Sequence, residues 1–309
     1  MAELFEKKID GWAAWSKVFQ SREAFTPLAE HILTRAGLPF CALARTKPGT
    51  NAVFFAGECV LKIFAPMESG FSTGRDYETE RFGLARAAAL GVSSPHLTAS
   101  GTVQDRYRFD YLVMARVPGR ELGEMMDALA ADERMNIGRS LRAFVRRMDT
   151  PCEAFPARPL RSPAAEVRWA CFPDTFCAER EAYLAGTAYG APVYIHGDLT
   201  CDNILVTPEG GICVIDYADA LTAPPEVELA CVICEAFHLE KAFLKGFFGD
   251  YDPRALAETC LAGLLLHDFG ANIICDRLAA PEELKSLAAL RGKIRARLDV
   301  SWFEHTGKE

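Results

Sequence analysis

Residues 193–217 read VYIHGDLTCDNILVTPEGGICVIDY, and this stretch decides the interpretation of the chain. Three short apolar runs in it predict three strands, and the glycine-containing turn between the second and third runs predicts a hairpin. Three polar side chains lie beside these runs: Asp198 and Asp216 after the first and third, and Asn203 directly before the second. The sequence therefore predicts a buried hairpin that presents two carboxylates and one carboxamide at strand ends.

These three residue types favour phosphate chemistry. Carboxylate and amide oxygens suit Mg²⁺, a hard cation that usually lies against substrate phosphates. Asp198 has a separate role open to it, because an aspartate in phosphoryl transfer accepts the proton of the acceptor hydroxyl and aligns that hydroxyl for attack.

The chain around this stretch changes character near residue 119. The chain has 309 residues, enough to bury a sizeable core. Residues 8–36 show helical spacing, residues 41–118 are rich in strands with one helix that ends at Gly91, and helices dominate after Gly119. We expect an α+β fold with the boundaries that follow: residues 1–114 as a small lobe of antiparallel sheet plus helix, residues 115–119 as a hinge, and residues 120–309 as a larger, mainly helical lobe.

Composition and charge narrow the class of partner. Lys plus Arg number 34 and Asp plus Glu number 42, so the formal net charge is −8, which argues against a nucleic-acid binder and suits a cationic ligand or an ordinary acidic protein. No stretch approaches the ~20 apolar residues of a membrane span, and residues 1–15 lack the order of a secretory signal. We therefore expect a cytoplasmic protein without membrane contact. The 11 cysteines are scattered, and the Cys231–Cys234 pair lies in an apolar run that predicts a core helix rather than a zinc site.

The pattern His196-x-Asp198-x4-Asn203, followed by Asp216 thirteen residues later, resembles the aminoglycoside phosphotransferase and choline-kinase-like family, with the aminoglycoside and hygromycin phosphotransferases as the nearest members. The resemblance covers most of residues 42–235. It implies a bilobal protein-kinase-like fold in which Asp198 is the catalytic aspartate and Asn203 and Asp216 hold Mg²⁺. His196 is expected to be structural.

Lys62 is similar to the family's lysine on the third strand, which contacts the α- and β-phosphates of the nucleotide. The alternative is an edge-strand lysine whose ammonium reaches water. The family pairs this lysine with a helix glutamate, and Glu78 and Glu80 are the two candidates. Glu80 is preferred because helical spacing places it on one face with Tyr77 and Leu84, which are expected in the core.

The resemblance also places the other nucleotide contacts. The turn that contains Gly49, Thr50 and Asn51 occupies the position of the phosphate loop, although it has one glycine instead of three; a plain hairpin turn is the alternative.

Residues 111–119 look like the family's fifth strand and hinge. There the Ala115 carbonyl and the Val117 amide would bind the adenine edge, with Met114 behind it. The alternative is a simple crossover between domains.

Three departures from related kinases are visible. Gly197 replaces an arginine that receives activation-loop phosphate in protein kinases, and only eight residues separate Asp216 from Pro225, too few for a regulatory loop. Glu228 replaces an aspartate that is expected to support the catalytic loop, which puts that support in doubt.

The resemblance implies an ATP- or GTP-dependent O-phosphotransferase that uses Mg²⁺ and acts on a small hydroxylated, cationic acceptor, with an aminoglycoside as the first choice. The alternatives are a metabolic kinase for choline, homoserine, a fructosamine or a sugar, and a nucleotide-binding pseudokinase, which the presence of the lysine, the asparagine and both aspartates disfavours. A monomer or homodimer is expected.

Six acidic residues are candidates for an acidic wall that binds a polycationic acceptor, although solvated helix faces explain most of them equally well: Asp202, Asp219, Glu226, Glu235, Asp268 and Asp276. Asp202 and Asp219 are preferred as acceptor ligands because they flank the catalytic residues.

Overall fold

The computed structural model describes residues 3–71 and 74–299. The chain forms two compact units. The first contains the chain up to Pro118 together with Ala154–Ala157 and Ile215–Asp219, and the second contains Gly119–Glu153, Arg158–Val214 and the chain from Ala220 onward. The sequence-based boundaries place both short returning segments in the helical lobe.

The first unit is built on a five-stranded antiparallel sheet in the order β1-β2-β3-β5-β4. Its strands are β1 (Ala44–Arg45), β2 (Ala52–Ala56), β3 (Cys59–Ile63), β4 (Leu97–Gln104) and β5 (Arg108–Ala115). Its helices are α1 (Trp12–Val18), α2 (Arg22–Arg35) and α3 (Asp76–Leu90), with a 3₁₀ turn at Met67–Ser69.

An aromatic cluster joins the first two helices to the sheet. Phe25 of α2 lies at its centre, with ring centroids 4.9 Å from Phe5, 5.9 Å from Trp15, 5.5 Å from Phe54 and 6.4 Å from Phe109. All five side chains are fully buried, and burial of each such ring contributes about 2–3 kcal/mol. Because side chains alternate along a strand, this face of the sheet is the one opposite Lys62.

Helix α3 has the ends that its sequence predicts. Asp76 and Glu78 lie in the first turn, where the helix dipole favours negative charge. The helix stops at Gly91, whose φ of 60° is left-handed, and the amides of Gly91 and Val92 donate to carbonyls of the last turn.

The second unit consists of helices and two small antiparallel sheets. The sheets are β6-β8-β9, formed by β6 (Arg120–Glu121), β8 (Ile204–Val206) and β9 (Ile212–Val214), and the pair of β7 (Val193–Ile195) with β10 (Leu221–Ala223). Thus β8 and β9 form the predicted hairpin, whereas β7 pairs with a strand that the sequence did not indicate.

The helices of the second unit lie between and after these strands along the chain. They are α4 (Leu122–Met125), α5 (Ala131–Met148), α6 (Pro163–Val167), α7 (Asp174–Gly186), α8 (Pro225–Cys231), α9 (Lys241–Phe248), α10 (Pro253–Leu266), α11 (Gly270–Arg277) and α12 (Leu287–Asp299). A π-helical turn at Val232–Ala236 continues α8, and 3₁₀ turns occur at Met126–Ala128, Arg168–Cys171, Cys201–Asn203 and Pro281–Glu283. Within the described parts of the chain, no helix combines the length and apolar character needed to cross a bilayer.

Helices α8 and α10 pack against each other without intervening side chains at Gly263. A Cβ atom at this position would lie 1.9 Å from the Glu226 carbonyl oxygen and 2.6 Å from the Ala230 Cβ. Nearby, the buried Sγ atoms of Cys234 and Cys260 lie 3.6 Å apart, so the predicted core position of Cys234 is confirmed. The close approach matters for the site, since α8 carries Glu228.

The contact at Gly263 gives a stability prediction. Gly263→Ala forces α8 and α10 apart, and we expect a loss of about 1–3 kcal/mol or more in the free energy of unfolding. Urea unfolding followed by circular dichroism measures it. The matched control is Gly292→Ala in α12, where a Cβ meets nothing within 4 Å. The control should leave stability unchanged or raise it by up to about 1 kcal/mol, and equal midpoints for both variants would refute the packing argument.

Candidate active site

Lys62 is the centre of a buried ion-pair cluster in the first unit. It projects from β3 with 4% of its surface exposed. Its Nζ lies 2.6 Å from the Glu80 Oε2 of α3 and 2.8 Å from the Asp216 Oδ1. Glu78 lies elsewhere on the helix and pairs with Arg81 at 2.5 Å. The helix glutamate that contacts Lys62 is therefore Glu80.

Burial and charge oppose each other in this cluster. Burial lowers the pKa of Lys62, but the carboxylates of Asp216 and Glu80 outweigh burial and leave that pKa above its ordinary value. Burial raises the pKa of Glu80 to about 7, although the nearby ammonium opposes the shift. Lys62 thus keeps its positive charge throughout the neutral range.

Asp216 follows β9 in the chain and adopts an uncommon backbone conformation. Its φ of 62° lies in the left-handed region, which costs an L-residue about 1–2 kcal/mol. Its side chain is 45% exposed while one carboxylate oxygen contacts Lys62. The ion pair gives a reason why this conformation persists, and the exposed part of the carboxylate remains accessible to a ligand.

Asp198 is oriented by Asn203 within the second unit. The Asn203 Nδ2 donates to the Asp198 Oδ2 and to the Asp198 carbonyl, each at 2.8 Å. The 3₁₀ turn Cys201–Asn203 brings the amide back to the loop. One side-chain amide therefore fixes both the backbone and the carboxylate of Asp198.

Glu228 of α8 supports the loop at residues 196–203, which carries the predicted catalytic residue Asp198. Its side chain is fully buried, and its Oε1 and Oε2 accept the backbone N–H groups of His196 and Gly197 at 2.8 and 3.1 Å. The doubt raised by the missing aspartate is therefore removed, because the longer glutamate reaches both amides. Gly197 has a φ of 79°, which explains a glycine here. Burial raises the pKa of Glu228 to about 7, with the two amide hydrogen bonds opposing it.

His196 acts on the backbone of its own loop. It is 1% exposed, and its Nδ1 accepts the Asp198 N–H at 3.3 Å. A ring nitrogen that accepts this hydrogen bond carries no proton itself. This geometry suits a structural role better than proton transfer.

Hydrogen bonds within the first unit hold the proposed phosphate loop in place. Trp15 Nε1 donates to the Thr50 carbonyl at 2.9 Å, and the buried Asn51 accepts the Ala65 N–H through Oδ1 at 3.0 Å. Gly49 and Thr50 are exposed. The Asn51 side chain is thus engaged in holding the loop, which leaves Gly49 and Thr50 as the exposed positions.

The residues predicted to contact adenine lie at the end of β5. Met114 is buried, and Ala115 and Val117 are half-buried. The Ala115 N–H donates to the His96 carbonyl at 2.8 Å, so only the carbonyl of Ala115 remains for the predicted contact.

Asp268, Glu235 and Glu226 are candidate acceptor-binding acids with partners within the second unit. Asp268 is buried and pairs with Arg158 at 2.9 Å. Glu235 accepts two bonds from Arg277 at 3.0 and 3.2 Å, and one oxygen of Glu226 accepts a backbone amide. These partners reduce the negative charge that the acids would offer to a polycation.

The two preferred acceptor ligands belong to different units. Asp202 is exposed in the second unit, and half-buried Asp219 lies in the segment assigned to the first. Among the described residues, no group of three or more His, Cys, Asp or Glu side chains forms a metal site.

The sequence did not indicate the role of Trp15, whose Nε1 donates to the Thr50 carbonyl of the proposed phosphate loop at 2.9 Å. No spacing rule connects two positions so far apart in the chain.

Comparison with known proteins places this geometry in a family. The APH model, described as the phosphotransferase enzyme family, matches residues 50–263. No curated protein sequence matches the chain.

Solved structures share the fold at low sequence identity. A choline/ethanolamine kinase family protein from Mesorhizobium loti is 17% identical with a TM-score of 0.55, over 82% of this chain and 92% of that one. The GDP complex of wild-type aminoglycoside 2'-phosphotransferase-IIIa is 16% identical with a TM-score of 0.57, over 90% and 99%. A thermostable mutant of aminoglycoside phosphotransferase APH(4)-Ia is 16% identical with a TM-score of 0.55, over 87% and 98%. The predicted kinase-like α+β fold is confirmed.

The Lys62 cluster predicts a non-additive effect on stability. Lys62→Met leaves Glu80 buried without its cation, and we expect a loss of about 3–5 kcal/mol in the free energy of unfolding at pH 7. The double variant Lys62→Met/Glu80→Gln should recover more than half of that loss. Urea unfolding of both variants and of Glu80→Gln alone, with exposed Lys17→Met as control, tests the cycle. Purely additive effects, or a Lys62→Met loss no larger than the control, would contradict the pairing.

Glu228 predicts a pH dependence. Because its folded-state pKa is raised above the ordinary value of 4.5 to about 7, its contribution to stability is present below pH 4.5 and lost as pH rises through 7. The glutamine does not titrate, so the free energy of unfolding of Glu228→Gln relative to wild type should rise by up to about 3 kcal/mol between pH 5 and 8. This rise adds to a pH-independent loss, because an amide has one acceptor oxygen for the two backbone N–H groups. Urea unfolding across that range measures it, with exposed Glu30→Gln as control. A difference independent of pH would show that the assigned shift is wrong.

Proposed function

The chain belongs to the phosphotransferase enzyme family, and from this premise we propose that it is an ATP- or GTP-dependent O-phosphotransferase for a small hydroxylated acceptor. Members of this group are small-molecule kinases. The observation that carries the proposal is the buried Lys62 ammonium held between Glu80 and Asp216 at 2.6 and 2.8 Å. A fixed cation of this kind suits the phosphates of a nucleotide.

Residues of the first unit supply the proposed contacts to the nucleotide. Lys62 binds the α- and β-phosphates, and the exposed positions Gly49 and Thr50 contact phosphate, while Asn51 holds that loop in place. The backbone of Ala115 and Val117 binds the edge of the base, and Met114 packs behind it. Backbone contacts of this type serve adenine and guanine alike, so ATP and GTP are both substrates to test.

Mg²⁺ fits the residues proposed to hold it. Asn203 offers an amide oxygen and Asp216 a partly exposed carboxylate, and two oxygen donors match an ion that keeps several waters and binds substrate phosphates. When bound, the ion supplies positive charge that offsets charge on the transferred phosphoryl group.

Asp198 is the proposed catalytic base. Its carboxylate accepts the proton of the acceptor hydroxyl as the hydroxyl oxygen attacks the γ-phosphorus, and the bond between that phosphorus and the bridging oxygen breaks to release ADP or GDP. The Asn203 amide holds the carboxylate in one orientation at 2.8 Å. The rate gain comes mainly from positioning and electrostatics, since the protein forms no covalent intermediate.

An aminoglycoside is the first acceptor to test, and Asp202 and Asp219 are its proposed ligands. A metabolic alcohol of the choline, homoserine, fructosamine or sugar type is the second candidate. The arginine partners of Asp268 and Glu235 favour it, because they remove charge that would attract a polycation. A pseudokinase is disfavoured, since all four of the residues that such proteins usually lose are present.

We also infer that the enzyme works in the cytoplasm, as a monomer or homodimer, without nucleic acid. The acidic net charge of −8 supports the last point.

The role of Asp198 gives a direct prediction. Asp198→Ala should keep the thermal shift produced by Mg-nucleotide and lose about 10²–10⁴-fold in acceptor-dependent turnover. Asp216→Ala should instead lose the metal-dependent part of the thermal shift. The measurements are differential scanning fluorimetry and ADP or GDP release. Normal turnover by Asp198→Ala would show that the assigned base is wrong.

The acceptor is identified by release of ADP and GDP across a panel of aminoglycosides and metabolite alcohols. Drug-dependent release, with raised drug tolerance of bacteria that express the chain, supports the aminoglycoside. Release only with a metabolite alcohol supports the second candidate, and no acceptor-dependent release from either set would contradict the proposed function.

A further inference from the structure

Segment 154–157 lies against helix α3. It belongs to the first unit, although the chain before and after it belongs to the second. The ring of Phe155 stacks on Phe82 of α3, with ring centroids 4.4 Å apart and ring planes inclined by 4°. The hydroxyl of Thr79, which is 1% exposed, donates to the Pro156 carbonyl. Because Thr79 and Phe82 lie three residues apart, both contacts hold the same face of the helix.

Another face of α3 carries the partner of Lys62. Tyr77, Glu80 and Leu84 share this face, and all three are buried. Glu80 contacts the Lys62 ammonium at 2.6 Å, and the Tyr77 ring lies 5.7 Å from the ring of Phe64. The aromatic core on the opposite side of the sheet contains no described residue of α3. The helix is therefore held by the Lys62 side of the sheet on one face and by the returning segment on another.

The returning segment has a conformation of its own. The Ala157 N–H donates to the Phe155 carbonyl at 2.7 Å, which closes a three-residue turn with Pro156 at its centre. The proline ring fixes φ at about −65° and so limits the directions that the Pro156 carbonyl can take. Directly after this turn, Arg158 pairs with Asp268 at 2.9 Å. The segment therefore offers the helix a support whose shape and exit are both fixed.

We propose that Phe155 is a positioning residue for the nucleotide site, because segment 154–157 holds α3 against the sheet and so keeps Glu80 on the Lys62 ammonium. This role rests on the proposed function, in which Lys62 binds the nucleotide phosphates. With Glu80 out of reach, the carboxylate that stays in contact with Lys62 is that of Asp216, at 2.8 Å. Asp216 is also the proposed Mg²⁺ ligand. By sharing the ammonium, Glu80 weakens the hold of Lys62 on oxygens that the ion needs.

The positioning role differs from a purely structural one in its effect on nucleotide affinity. A stack that only stabilises the fold lowers the unfolding temperature when it is lost, and the folded protein keeps its affinity. A stack that positions α3 changes that affinity, and it does so only while the Lys62–Glu80 pair is present. A double-mutant cycle between the segment and the pair separates the two roles.

The experiment measures binding of Mg-ADP and Mg-GDP to the full chain by isothermal titration calorimetry, well below the unfolding temperature of each variant. Phe155→Ala removes the stacked ring, and Phe155→Tyr keeps it at a half-buried position. The double variant Lys62→Met/Glu80→Gln removes the pair. The matched control is Phe172→Ala, which removes a ring stacked on Phe176 at 4.7 Å in the second unit.

We expect Phe155→Ala to weaken binding of the preferred nucleotide by about 3- to 30-fold. Phe155→Tyr should bind like wild type, and Phe172→Ala should lower the unfolding temperature while it keeps the affinity. In the background that lacks the Lys62–Glu80 pair, Phe155→Ala should leave the affinity unchanged. Unchanged affinity in Phe155→Ala, an equal loss in the tyrosine variant or the control, or a full loss without the pair would each overturn the positioning role.

Hydrogen exchange followed by mass spectrometry tests the support of α3 without nucleotide. Phe155→Ala should speed amide exchange in residues 76–90 and leave residues 22–35 of α2 unchanged, because loss of the segment opens α3 locally. Unchanged exchange in α3, or an equal rise in α2, would overturn the support.

Failure of the proposed function has a different signature. A wild-type chain that binds neither Mg-ADP nor Mg-GDP would overturn that function, and with it the role of Phe155 in nucleotide binding. Nucleotide binding by wild type without any effect of Phe155→Ala would overturn the positioning role alone.

Discussion

A lysine ammonium buried under a sheet must keep anionic partners, and this requirement organises the first unit. Lys62 draws Glu80 from α3 and Asp216 from the returning segment 215–219, and each partner lies within hydrogen-bond distance of Nζ. The helix is thereby fixed in rotation, and Asp216 is held in a left-handed conformation that it would not adopt unaided. The same charge that stabilises this arrangement is the one that a nucleotide phosphate requires.

The second unit contains a polar loop, and its buried peptide groups require hydrogen-bond partners. Glu228 accepts the amides of His196 and Gly197, and the His196 Nδ1 accepts the amide of Asp198. Glu228 lies on α8, and Gly263 lets α8 and α10 approach closely. Asn203 then orients Asp198, so the groups that satisfy the loop also prepare the carboxylate.

Local patterns predicted the parts of this account that depend on neighbours in sequence. Helical spacing was enough to prefer Glu80, and apolar runs bounded by turns located β2, β3 and the β8–β9 hairpin. Two features depend on contacts between distant segments, which no periodicity of apolar residues encodes. They are the pairing of β7 with β10 and the return of residues 215–219 to the first unit. The sequence leaves the support from Glu228 in doubt, because its oxygens contact backbone amides 32 and 31 residues away in the chain.

A crystal structure of the intact protein with Mg²⁺ and a nonhydrolysable ATP or GTP analogue tests the central claim most directly. The account predicts a phosphate oxygen within hydrogen-bond distance of the Lys62 Nζ, with Glu80 still in contact with that ammonium. A nucleotide bound elsewhere, with the Lys62 ammonium contacting only Glu80 and Asp216, would contradict it.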